Sequence, residues 1–109
     1  MRTFDVRARI EDSGEYVLGL EDTGSHACYL IYGIMKPYEK ERELKPGEGH
    51  EELFLAMKGD LMVTGHTKGM LREGQAIHLR GDETRWLENA TGSEAVYVIS
   101  GGHSDSGHH

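Results

Sequence analysis

Turn signals divide the sequence into short apolar runs, and this spacing most constrains what the chain can fold into. The runs contain many β-branched and aromatic residues, and pairs such as Gly-Asp, Gly-Glu or Thr-Gly stand between them. This pattern predicts many brief strands rather than long helices. The predicted strands cover residues 4–10, 16–20, 27–35, 52–57, 61–64, 69–71, 76–79, 84–88 and 95–100.

Strands at this spacing predict an all-β fold, an antiparallel sandwich or barrel. A chain of 109 residues is long enough for one compact domain but not for two. We assign residues 1–100 to that domain and predict that the small polar residues 101–109, which include three histidines, form a disordered tail. The charged stretch YEKEREL, residues 38–44, has no apolar stripe and lies between two prolines, so we predict a loop or a single helical turn there.

Three predicted strands are apolar on both faces. They are CYLIYGIM (28–35), LFLAM (53–57) and AVYVI (95–99). A half-exposed antiparallel strand alternates apolar and polar residues, so these strands need a cover on each side. Either a second layer of the same chain or a partner chain supplies it, and a homodimer is the simpler explanation.

Charge and cysteine content exclude several classes of function. The net charge is −7 and the Lys and Arg residues form no stripe, which disfavours binding to nucleic acids or anionic membranes. Cys28 is the single cysteine, so no intrachain disulfide forms, and we expect it to pack as a small hydrophobe. The first residues have no apolar core like that of a signal peptide, so we expect a cytoplasmic protein.

Two sequence motifs then suggest a family. GQAIHLRGDETRWLEN runs from Gly74 to Asn89, and Glu52 is followed by LFLAMK and Gly59. Residues 37–101 therefore resemble the small single-domain cupins, whose first motif ends in E-x6-G and whose second motif runs G-x5-P-x-G-x2-H-x3-N. The resemblance implies a double-stranded β-helix, or jelly-roll barrel, and a pocket inside it.

The resemblance also implies a metal site, but most of its ligands are changed here. Cupins usually use two histidines and a glutamate of the first motif with one histidine of the second, a set that suits divalent transition metals. Glu52 stands at the glutamate position. The three histidine positions hold Pro46, Glu48 and Arg85, so we expect a degenerate ligand set.

Arg85 has two interpretations, because a guanidinium cannot ligate a metal. The resemblance places it inside the barrel, where it would face Glu52 and Glu48. It is then either a structural ion pair or the anchor of a site for a small polar or anionic molecule, with His78 and the two glutamates on the pocket wall. We take small-molecule binding as the leading functional hypothesis.

A rebuilt metal site is the alternative. Glu48, His50 and Glu52 share the parity of a regular strand, and His78 is a fourth candidate from the facing strand. Two histidines and two carboxylates suit a divalent transition metal, which would make the protein an enzyme of the dioxygenase or isomerase type. Glu52 or His78 could also act as a general acid or base without metal.

For the remaining aromatic residues and Asn89 we expect structural roles or places in the barrel lining. Trp86 should face opposite Arg85, and Asn89 should tie down the end of its strand by hydrogen bonds. Four aromatic residues are candidates to line the barrel, either as core or as pocket wall: Tyr29, Tyr32, Phe54 and Tyr97.

Overall fold

The computed structural model describes residues 1–103, and the prediction for 104–109 lies outside them. Within this range the chain forms nine strands, with a 3-10 turn at Arg7–Arg9 and a short helix α1 at Leu20–Thr23. No helix of the described residues is long and apolar enough to cross a membrane. The strands are β1 (Glu15–Leu18), β2 (Cys28–Met35), β3 (Arg42–Leu44), β4 (His50–Lys58), β5 (Leu61–Gly65), β6 (Gly69–Leu71), β7 (Ala76–Arg80), β8 (Arg85–Glu88) and β9 (Ala95–His103).

The strands form two antiparallel sheets, which confirms the predicted all-β class. One sheet has the order β1-β2-β9-β4-β7 and the other has the order β3-β8-β5-β6. The apolar core lies between them, because alternate residues of each strand face inward and meet those of the opposite sheet. Its largest fully buried side chains are Tyr97, Phe54, Met35, Leu61, Leu79, Leu87 and Ile99.

Three sequence predictions of secondary structure are wrong. Residues 4–10 form no strand but cross the outer side of the first sheet, where Arg7 donates a hydrogen bond to Tyr32. The charged stretch contains strand β3, because pairing with β8 stabilises a strand that its own charged residues do not favour. Strand β9 continues through Gly101–His103, which pair with β2 or β4, so the domain extends past residue 100.

Most of the apolar side chains on strands β2 and β9 are covered within the chain, but the outward-facing ones of β4 are not. Leu53 and Met57 point away from the core and are 56% and 52% exposed, and Leu55 between them is 37% exposed. Cys28 is also exposed, contrary to the expected packing, because it opens β2 at the rim of the sheet.

Asn89 closes the second motif as expected. Its side-chain amide donates hydrogen bonds to the carbonyls of Lys36 and Ser93, at 3.0 and 2.8 Å, and its oxygen accepts from Thr91. The residue is fully buried, and these bonds satisfy it. Asn89 therefore joins the end of β8 to the segments that follow β2 and precede β9.

Candidate functional site

A tyrosine that lies across a glycine brings the candidate site together. In the register of the first sheet, Tyr29 of β2 is opposite Gly101 of β9, which is in turn opposite Glu52 of β4. A side chain at Gly101 would overlap the Tyr29 ring, so the glycine lets the ring pass over β9. The Tyr29 hydroxyl then donates a hydrogen bond of 2.5 Å to Glu52 Oε2 on the inner face of the sheet.

Glu52 is the buried carboxyl group of this site. It is 6% exposed, and within residues 1–103 neither Lys nor Arg forms an ion pair with it. Burial raises the pKa of Glu52 above its ordinary value, and the Glu15 carboxylate raises it further, while Tyr29 and His50 act in the opposite direction. Burial and the Glu52 carboxylate together raise the pKa of Tyr29, so its hydroxyl stays a donor.

His50 lies beside this pair at the start of β4. Its ring stands edge-on to that of Tyr29, with the centroids 5.7 Å apart, and edge-on to that of His103 at 5.0 Å. His50 Nδ1 is 3.0 Å from the carbonyl oxygen of Pro46, and a carbonyl can only accept, so Nδ1 carries the hydrogen. The neutral ring therefore keeps Nε2 as a hydrogen-bond acceptor.

Arg85 points into the barrel, as the resemblance implied, but its partners are different from those expected. The side chain donates to Thr67 Oγ1 at 2.9 Å and to Glu83 Oε1 at 3.0 Å, and no hydrogen bond joins it to Glu52 or Glu48 within the described chain. Glu83 neutralises the guanidinium. A backbone N–H from Arg80 and then the Arg85 side chain lower the pKa of Glu83. Trp86 faces outward, opposite Arg85, as expected.

Two of the predicted site residues lie outside the barrel. Glu48 is exposed in the turn before β4, so the strand parity that was to align it with His50 and Glu52 does not extend to it. His78 is opposite Leu53 on the outer face of the sheet, where its Nε2 is 2.7 Å from Glu51 Oε1. The sequence therefore predicted the direction of Glu52 correctly, whereas Glu48 and His78 lie outside the barrel, Glu48 at the border of a groove.

The residues present do not fit the metal site that the resemblance implied. Among residues 1–103, no group of three or more His, Cys, Asp and Glu side chains lies close enough to hold a metal ion. Of the four cupin ligand positions, Glu52 alone offers an inward ligand atom, because a proline, an exposed glutamate and a guanidinium fill the others. The proposed set of Glu48, His50, Glu52 and His78 does not come together.

A groove opens beside His50 at this end of the barrel. It has a volume of about 730 Å³, which is in the range of small-molecule sites. Two cationic and three anionic side chains line it, so it is polar with a small excess of negative charge. The lining residues are Lys45, Glu48, Gly49, His50, Glu51, Arg80, Gly81 and Asp82.

Sequence reasoning missed several residues of the interior. Tyr29 was only one of four candidate lining aromatics, of which Phe54 and Tyr97 stack in the core and Tyr32 faces outward. Thr67, Glu83 and His103 were not considered, because Thr67 and His103 are far in sequence from Arg85 and His50, and Glu83 stands at no ligand position of the second motif. The one available signal was Gly101, a strand glycine of the kind that marks a close approach.

Comparisons with solved structures show several close likenesses of fold. TT1209 from Thermus thermophilus has a TM-score of 0.70 and 16% identity, over 94% of this chain and 98% of that one. A cupin protein (BF4112) from Bacteroides fragilis has a TM-score of 0.70 and 14% identity, over 89% and 82%. A predicted oxalate decarboxylase (tm1287) from Thermotoga maritima has a TM-score of 0.67 and 14% identity, over 82% and 80%. Neither a protein-family model nor a curated protein matches the chain.

The raised pKa of Glu52 predicts how Glu52→Gln changes stability with pH. Between the ordinary glutamate pKa and the raised one, the folded state binds more protons than the unfolded state, so the free energy of unfolding falls as pH rises. Glu52→Gln has no carboxyl group at this position and avoids this decrease. The free energy of unfolding of the variant minus that of wild type should therefore increase from pH 4 to pH 8.

Urea unfolding of both proteins at each pH measures this difference. Glu43→Gln, which removes one charge from an exposed position of β3, controls for the change in net charge. A Glu52→Gln difference that stays constant or declines as pH rises would show that burial does not disfavour the Glu52 carboxylate.

Proposed function

The chain has the cupin fold, and we propose that its barrel binds a small polar molecule at the end where Tyr29, His50 and Glu52 meet. The observation that supports this most directly is a buried carboxyl group with only one of its oxygens engaged by the protein. Glu52 Oε2 accepts from Tyr29, while Oε1 accepts no hydrogen bond from residues 1–103. No side-chain polar atom of the described residues is both fully enclosed and unpaired, so Oε1 keeps some contact with solvent.

The surroundings of Glu52 support a binding site more than a purely structural one. A structural buried carboxylate normally has a cation or several donors as partners, and Glu52 has a single tyrosine hydroxyl. Arg85 fits the structural description better, since Glu83 pairs with its charge and Thr67 accepts a second hydrogen bond from it. We therefore move the centre of the proposed site from Arg85 to Glu52.

A pair of histidine variants tests this location. His50 borders both the groove and Tyr29, whereas His78 is on the outer face of the same sheet. For any compound found to bind in an NMR screen of small polar molecules, we expect His50→Ala to weaken binding about tenfold, a change of about 1.4 kcal/mol. His78→Ala should leave the affinity within about twofold, or about 0.4 kcal/mol.

The titration follows the amide signals of the labelled protein. Signals of Tyr29 and Gly101 should move with ligand in wild type and in His78→Ala. Binding that persists in His50→Ala but is lost in His78→Ala would place the site on the outer face. A screen in which no polar molecule binds would refute the proposed function.

We also propose that a second copy of the chain covers the exposed apolar row of β4, which consists of Leu53, Leu55 and Met57. Glu51 precedes this row and Lys58 follows it. A two-fold axis near Leu55 would therefore bring Glu51 of one copy next to Lys58 of the other, so the surface is complementary to itself in charge as well as apolar at its centre.

Sedimentation of Leu53→Lys tests the homodimer. Leu53 is exposed, so a lysine there should not disturb the core, but it would place a charge in the centre of the interface. We expect wild type at micromolar concentration to sediment at twice the chain mass of 12.2 kDa, and Leu53→Lys to dissociate at least about tenfold more readily. Met70→Lys, on the outer face of the other sheet, is the matched control. Wild type that sediments as a monomer would contradict the homodimer.

A further inference from the structure

The hydrogen-bonding atoms that Glu52 and His50 leave unengaged within residues 1–103 are acceptors. The Tyr29 hydroxyl already donates a hydrogen bond to Glu52 Oε2, and His50 Nδ1–H already donates one to the Pro46 carbonyl. What remains is Glu52 Oε1 and, in the neutral imidazole, His50 Nε2. A ligand that satisfies this site must bring N–H or O–H groups to it, because a second acceptor would leave both partners unpaired.

The charges around Glu52 also favour a positively charged partner. Within residues 1–103, no Lys or Arg pairs with Glu52, and the inward-facing Arg85 is neutralised by Glu83. The Glu15 carboxylate of β1, which lies farther along the same inner face beside Tyr97, also disfavours the charged form of Glu52. A cation beside Glu52 would relieve both the desolvation and the repulsion.

The groove next to the site does not reverse this preference. Lys45 and Arg80 line it, but so do Glu48, Glu51 and Asp82. Its cations are therefore outnumbered, and they border the outer groove rather than the carboxyl group inside. An anion beside Glu52 would meet a like charge, and both the Tyr29 hydroxyl and His50 Nδ1–H are already engaged as donors.

From this arrangement we infer that the ligand of the site is a small organic cation, with an ammonium group that donates to Glu52 Oε1 and His50 Nε2. This inference rests on the proposed function and specifies the ligand class. It differs from the anionic ligand that the sequence suggested, because that expectation depended on an unpaired Arg85. It also requires no metal, since a protonated amine supplies both the N–H donors and the positive charge beside Glu52.

Three probes of the same size but different charge separate the possibilities: n-butylammonium, n-butanol and butyrate. Each is titrated into the full chain at neutral pH and constant ionic strength, with a chelator present to remove stray metal. We expect butylammonium alone to move the NMR signals of Tyr29, His50 and Gly101 in a saturable way. Glu52→Gln keeps an oxygen for Tyr29 but removes the charge, and it should abolish this response. Glu43→Gln, a carboxylate on the outer face of β3, should retain it.

Each other outcome overturns the inference. Saturable binding of butyrate or butanol at these signals, without butylammonium, would keep the proposed function but assign an anion or a neutral donor to the site. Equal binding of butylammonium to wild type and Glu52→Gln would show that Glu52 is protonated or not involved. No response to any of the three probes would refute the cationic ligand, while the wider screen with His50→Ala would still decide the proposed function.

Discussion

The inner face of the larger sheet depends on tyrosine rings that lie across glycines of the neighbouring strand. Tyr29 passes over Gly101 and reaches Glu52, and Tyr97 passes over Gly33 and donates to Glu15. In both cases any side chain in place of the glycine would overlap the ring. The two arrangements run in opposite directions across β2 and β9, and each brings a hydroxyl from one strand to a carboxyl group two strands away.

The two tyrosines have different consequences because their surroundings differ. Tyr97 is fully buried and stacks on Phe54, and Arg42 donates to its hydroxyl at 3.1 Å, so Tyr97 and Glu15 belong to a network that includes an arginine. Around Tyr29 no arginine is present within the described residues, and Glu52 keeps one unpaired oxygen. The same device thus gives one tyrosine an arginine as a further partner and leaves Glu52 with a single donor, and this difference is the physical basis for placing a ligand beside Glu52.

Much of this fold could be predicted from the sequence, because glycine turns and apolar runs are local signals. Strand β6 was predicted with the correct ends, and the direction of Glu52, Arg85 and Trp86 followed from strand parity and the motif spacing. Strand β3 was missed because its residues are charged and its stability comes from pairing with β8. The partners in the interior could not be predicted, because Tyr29 and Glu52 meet through the register of three strands, which no local pattern specifies.

The cupin fold by itself does not specify a function, since one scaffold carries many unrelated chemistries. What distinguishes this chain is a buried carboxyl group where most of the metal ligands have been replaced. Titration of the Glu52 carboxyl carbon by ¹³C NMR tests this most directly. The account predicts a midpoint above the ordinary glutamate value of about 4.3, and a still higher midpoint in Tyr29→Phe, which lacks the hydrogen bond that favours the charged form. A midpoint at or below the ordinary value in wild type would contradict it, because Glu52 would then be well solvated or paired with a cation.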